Sequence, residues 1–220
     1  MYSVIPGLLK GFDKLSLRSI ITLIFIRSDK SKNMSSYIIE TKRLGLRRWI
    51  ESDIQPFAQM NQDGAVMKYF PGILTEDETY EMEKRINLHF DKNSFGLFAV
   101  EEKLTGRFIG FTGFAIPTFD SFFTPCIEIG WRYIKEVWGR GYATEAATAC
   151  LQYGFNTLQF DAIFSFTAAV NINSEKVMKR IGMKYLGGFY HPKIERNHIL
   201  CSHVLYQVDK DEMPVILSSM

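Results

Sequence analysis

The sequence predicts an α/β (α+β) domain in which about seven strands are interleaved with about four helices. Three observations carry this. Short runs with period-two alternation recur along the chain, as in Ile127, Ile129 and Trp131. After Gly141 the period becomes helical, with Ala143, Ala146, Ala147, Cys150, Leu151 and Gly154 on one narrow face. The 220 residues are 46% apolar, with 18 Phe and 10 Tyr, enough for a substantial core.

Taken in order, Tyr37–Trp49 reads as a strand through Leu44 and Leu46. Ser52 or Asp53 caps a short helix that has Pro56 in its first turn and ends near Gly64. Thr75 followed by Glu78 is a capping box, opening an amphipathic helix whose face holds Tyr80, Ile86 and Phe90. "GLFAVEEKLTGRFIGFTGFAI" is a hairpin with Gly106 in its turn. In "PCIEIGWRYI" Cys126, Glu128, Gly130 and Arg132 share the face opposite Ile127, Ile129 and Trp131. The small-residue helix from Gly141 lies close to the sheet. "AIFSFTAAV" is a buried strand, "NSEKVMKRIGM" a helix capped by Asn171 or Asn173 and stopped by Gly182, and "KYLGGFY" and "ILCSHVLYQV" are the last strands.

Composition narrows the function. Residues 1–33 hold six Lys/Arg against two Asp, and the remaining chain holds 20 basic and 22 acidic residues, so charge count points to no nucleic-acid partner. The apolar run Ile20–Ile26 is too short to span a bilayer, and no stable membrane association is expected. The boundaries read as 1–33, an extension outside the domain, and 34–220, the domain itself. Three widely spaced cysteines, with no C-x-x-C pair, suit a reducing cytoplasm and no metal.

"EVWGRGYATEAA" places Gly139 and Gly141 between a strand and a helix N-terminus. Backbone N–H groups and the helix dipole there suit an anion, phosphate above all; a plain tight turn is the other reading of two glycines. The dinucleotide fingerprint fails at Thr144, and the Walker Gly-Lys-Ser/Thr is missing.

These residues, with "ETKRLGLR", "EIGW" and "NINSEKVMKRIGM", resemble the GCN5-related N-acetyltransferases, in particular the ribosomal-protein N-terminal acetyltransferase (RimJ/RimL-type) branch, over about residues 37–208. The resemblance implies a strongly twisted mixed sheet with a gap between its fourth and fifth strands. It implies acetyl-CoA as co-substrate and direct transfer to a primary amine, a protein N-terminus or a small molecule, by a monomer or homodimer. The backbone of Val137, Trp138, Gly139, Arg140, Gly141, Tyr142 and Ala143 would hold the pyrophosphate, and the strand end at Tyr133 and Ile134 would offer an N–H to the thioester oxygen. Asn171 and Ser174 would meet the pantetheine arm. Where the family often has Gln or Arg, Glu136 stands, and where it often has an acidic tyrosine, Met178 stands.

Transfer needs a base for the amine. Glu128 is the first candidate, with an ion pair to Arg132 as the alternative role, and His191 is the second. Tyr133, Ser174 or water would protonate the thiolate. His191, His198, Cys201 and His203 match no common zinc spacing and are read as lining the acceptor pocket or an ordinary loop. Phe70, Phe119, Phe122 and Phe123 are walls of that pocket or core. The rival functions are a CoA-binding module without efficient transfer, favoured by Met178, and a nucleotide-binding protein.

Overall fold

A computed structural model describes residues 37–212. The 1–33 extension, with its Ile20–Ile26 run, lies outside them. Eight strands form one mixed sheet: β1 (Ile39–Glu40), β2 (Leu44–Arg47), β3 (Leu97–Glu102), β4 (Arg107–Ala115), β5 (Glu128–Tyr133), β6 (Ala162–Ala168), β7 (Lys184–Tyr190) and β8 (Ser202–Asp209), in the order β1-β2-β3-β4-β5-β6-β8-β7. The helices are α1 (Ile54–Gln62), α2 (Glu76–Asn93), α3 (Tyr142–Asn156) and α4 (Ile172–Arg180). Sequence alternation misses the break between β1 and β2. There Thr41 N–H donates to Leu44 O at 2.9 Å and Leu44 N–H to Thr41 Oγ1 at 2.9 Å, a turn that makes two strands of one predicted run.

All neighbours are antiparallel except β5 and β6, which are parallel and share one register pair, Glu128 with Phe164. Beyond that pair the two strands part, which is the gap the resemblance implies. Because they run parallel, their carboxyl ends open at the same edge, and each leads into a helix there, β5 into α3 and β6 into α4.

The two faces of β5 are distinct. Ile129 stands opposite Phe114, whose Cζ would lie 2.9 Å from a Cβ added to Gly154 of α3, as would Ile163 Cδ1. Glycine at 154, with fully buried Ala146, Ala147 and Cys150, therefore lets α3 approach the sheet as its small-residue face predicts. On the other face Arg132 donates from Nη1 to Asn61 Oδ1 of α1 at 2.6 Å.

Two local expectations change. The inward face of α2 uses Thr79, Ile86 and Phe90, while Tyr80 is 46% exposed, because Thr79 Oγ1 accepts from buried Asn61 Nδ2 at 3.2 Å. Asp53 does not cap α1 with its side chain. Its carboxylate instead accepts from Arg47 Nη1 and Nη2 at 2.6 and 2.9 Å, inside the protein. The capping box of α2 is present as predicted, with Glu78 N–H donating to Thr75 Oγ1 at 3.2 Å and Thr75 N–H to Glu78 Oε2 at 2.8 Å.

Candidate active site

The loop between β5 and α3 is built by two left-handed glycines. Gly139 has φ 76° and Gly141 φ 80°, a region where a Cβ costs strain, and no atom stands within 4 Å of a Cβ position at Gly139. Ahead of them a 3-10 turn, Lys135–Val137, uses two of the amides that the resemblance assigned to phosphate. Val137 N–H donates to Ile134 O at 3.3 Å and Trp138 N–H to Lys135 O at 3.1 Å. The amides of Gly139, Arg140, Gly141, Tyr142 and Ala143 meet no acceptor among the described residues. Consecutive unbonded N–H groups at the start of a 15-residue helix make this loop a candidate anion cradle.

A charge network missed by the sequence reading fixes this cradle. Glu145, in the first turn of α3, accepts from Thr41 Oγ1 at 2.6 Å, Arg43 N–H at 3.0 Å and Arg43 Nε at 2.6 Å. Arg43 Nη1 then donates to Arg140 O at 2.9 Å, and its guanidinium stacks 4.4 Å over the Tyr142 ring. Arg140 O is thereby turned out of the cradle. The partners lie about a hundred residues apart, and no periodicity marks them; Arg43 in "ETKRLGLR" is the visible clue. Arg140 itself is exposed, with Nη1 4.0 Å from Glu102. A groove of 560 Å³ runs from Gly141 along Glu145 and Thr148 to Arg180 of α4.

At the strand end, Ile134 N–H is committed to Ile109 O at 3.0 Å. Antiparallel alternation then turns the Tyr133 amide away from β4, toward the gap. The Tyr133 carbonyl accepts Trp138 Nε1 at 2.9 Å, which ties the loop back to the strand. The Tyr133 phenol is not at the gap. It is buried, 2.6 Å from Thr112 Oγ1, and burial raises its pKa well above the ordinary tyrosine value, so it is a poor proton donor.

Across the gap Asn171 caps α4. Its Oδ1 accepts from Ser174 N–H at 3.3 Å and its Nδ2 donates to Thr167 Oγ1 and Ser174 Oγ, both at 3.0 Å. Ser174 Oγ, as an acceptor of that bond, keeps its own hydrogen to donate. Met178, at the position where the resemblance leads one to expect a tyrosine, is 1% exposed and part of the core.

Glu128 occupies the opposite face. It is half-buried, its carboxylate has no hydrogen bond or ion pair among the described residues, and burial pushes its pKa up to about 8. The alternative role, an ion pair with Arg132, is not formed. Its register partner Phe164 begins a ring cluster on the same face: Phe123 lies 6.3 Å from Phe164 and 4.9 Å from Phe189, and Phe119 lies 4.7 Å from His191. His191 is 5.0 Å from His203, and Lys193 N–H donates to His191 Nδ1 at 3.3 Å. Burial and Lys193 lower the His191 pKa. Phe119 and Phe123 thus join this wall, Phe70 sits instead over Arg132, and Phe122 is 76% exposed. His198 is an exposed loop residue whose Nδ1 accepts from Leu200 N–H at 3.1 Å. Among the described residues no group of three His, Cys, Asp or Glu is placed to hold a metal, and no helix is long and apolar enough to cross a membrane.

Known proteins share this fold. The family model of the acetyltransferase (GNAT) domain matches residues 43–184. An uncharacterized N-acetyltransferase of Bacillus subtilis (strain 168), YnaD, is 33% identical over 69% of this chain and 85% of its own. The crystal structure of a GNAT-family acetyltransferase from Bacillus anthracis superposes with TM-score 0.66 at 28% identity, over 79% of this chain and 99% of that one. Mycobacterium smegmatis RimJ, in complex with CoA-disulfide, shares the fold with TM-score 0.64 at 18% identity, over 78% of this chain and 84% of that one. With its gapped sheet and amide cradle, the chain belongs to the GNAT acetyltransferase domain family and is an acyltransferase enzyme.

Proposed function

We propose that residues 34–220 form a cytoplasmic N-acetyltransferase domain that moves an acetyl group from acetyl-CoA directly to a primary amine. The observation that carries this is the run of unbonded amides from Gly139 to Ala143 beside the gap between two parallel strands. It fits a pyrophosphate, with the amides and helix dipole supplying the positive field. Acetyl-CoA, when bound there, supplies the activated acyl group. The RimJ structure with CoA-disulfide supports that class of ligand at this fold, and the resemblance of the sequence motifs to the RimJ/RimL-type branch supports an amine acceptor.

The chain's own residues divide the work by face. The cradle, Asn171 and Ser174 lie at the edge where α3 and α4 begin, and the Tyr133 amide points into the gap, where it would hold the developing oxyanion. Glu128 approaches from the other face and would take the proton of the attacking amine, with the ring wall from Phe123 to His191 guiding the acceptor. His191, kept neutral at pH 7 by its lowered pKa, is the second base on that wall. With Met178 buried and the Tyr133 phenol in the core, Ser174 steadies the departing thiolate and water supplies its proton.

Calorimetric titration of acetyl-CoA into the full chain tests the reading, beside a Gly141→Trp variant. At φ 80° an indole strains the loop and fills the cradle. The expected result is binding by the parent and a loss of about a hundredfold or more in the variant, with far-UV circular dichroism unchanged. A folded parent that binds no acetyl-CoA overturns the reading.

A further inference from the structure

Two arginines are buried in this sheet, and their partners differ. Arg47, 4% exposed, meets two carboxylates, Asp53 at 2.6 Å and Glu101 at 3.0 Å. Arg132, 8% exposed, meets none. Among the described residues the guanidinium's one hydrogen-bond partner is the neutral Asn61 amide at 2.6 Å, and its buried Nε has no acceptor. The guanidinium lies between the rings of Phe70 at 4.0 Å and Phe111 at 5.4 Å. Stacking compensates in part for lost hydration, yet a buried cation with unfilled donors calls for an anion. Burial draws its pKa down to about 10, so it still carries its charge at neutral pH.

Its position supplies the rest. Arg132 shares a face with Glu128, and Gly130 between them carries no side chain, leaving a bare strip of strand. The two backbone positions are about 13 Å apart at the rise of a strand. Glu128 Oε1 lies 3.8 Å from the place a Cβ of Gly130 would take, so the carboxylate leans along the strand toward Arg132. The bare strip between the carboxylate and the guanidinium suits a small molecule that carries both an amine and an anion.

We infer that the acceptor is an amino carboxylate, its amine delivered to Glu128 and its carboxylate received by Arg132 across Gly130. This rests on the acetyltransferase reading above. Asn61, held by Thr79, fixes the guanidinium so that its open donors stay fixed in place before the substrate arrives. Phe70, its ring 4.0 Å from the guanidinium and 37% exposed, stands between Arg132 and solvent as the outer wall of this end.

Matched acceptors test this with the full chain and saturating acetyl-CoA, by following thiol release: phenylalanine against phenethylamine, and lysine against cadaverine. The expected result is a kcat/KM at least about tenfold higher for the carboxylated member of a pair. Arg132→Met should erase that preference by raising KM for the carboxylated member about tenfold or more, with KM for acetyl-CoA unchanged. Should the variant fail to fold, the parent's own ratio decides. Equal or reversed ratios, or acetylation of peptides alone, overturn the inference while calorimetric binding of acetyl-CoA keeps the transferase reading. Acetyl-CoA binding with no amine acetylated overturns it too. Absence of acetyl-CoA binding removes both.

Discussion

Glu128→Gln is expected to lower kcat by about 10² to 10³-fold while the protein becomes harder to unfold at alkaline pH. The first effect follows from removing the base, and KM for acetyl-CoA should hold, because the cradle lies at the far side of the gap. The second follows from the unpaired carboxylate. In the folded protein its pKa is about 8, against an ordinary value of 4.5, so between those values the native state holds a proton that the unfolded chain releases. Stability is therefore full below pH 4.5 and is lost as pH rises through about 8. Glutamine has no proton to lose. Parent and variant should melt together near pH 4 and diverge above pH 8, the variant being more stable by about 2 kcal/mol after discounting for partial exposure, or about 4–8 °C. The parent's rate should rise with pH to a plateau past the same value. A melting difference that is flat with pH would remove the enclosed-carboxylate account even if activity fell.

Asp53→Ala carries the largest expected loss of stability, about 3 kcal/mol, read as a fall of roughly 6–12 °C in Tm or as the midpoint of a urea titration. Arg47 and Asp53 are 4% and 2% exposed, and Asp53 also accepts from Ile50 N–H at 3.0 Å. Removing the carboxylate strands that amide but leaves the guanidinium with the Glu101 carboxylate and the Arg48 carbonyl, which is why the cost sits at the low end for broken buried pairs. Lys84→Ala is the contrast. Its partner Glu81, at 2.7 Å, is exposed, and the change should leave the melting temperature indistinguishable from the parent's. Equal effects at the two sites would mean that the buried ion pair is no anchor for the β2–α1 corner.

What was legible in the chain was whatever one element decides alone. The Thr75–Glu78 box, the turn at Gly106 and the bare face of α3 are local, so spacing reveals them, and the face shared by Glu128 and Arg132 follows from strand parity. Contacts set by tertiary packing were not legible. Tyr80 fits a helical stripe as well as Thr79 does, and the α1 contact through Asn61 chooses between them. Glu128 and Arg132 read as an ion pair because parity puts them together, but Arg132 is drawn to Asn61 and Phe70, which lie some sixty to seventy residues earlier. The loop reads as an anion site from its glycines, but its first two amides are taken up by a three-residue 3-10 turn, which leaves no trace in side-chain pattern.

The lone ladder pair between β5 and β6 has a mechanical meaning. Strands β1–β5 and β6–β8 are each knitted by continuous backbone pairing, whereas the seam between them is stitched by the Glu128–Phe164 pair, with Phe164 N–H on Ile127 O at 2.8 Å and Ser165 Oγ on Ile129 O at 2.9 Å. A molecule wedged into that seam becomes mortar between two slabs. Occupancy at a hundred times Kd would add about 2.7 kcal/mol to the whole fold, and amide-exchange protection should rise on both slabs together, so that the cell's supply of cofactor would set how long each copy of the enzyme resists unfolding.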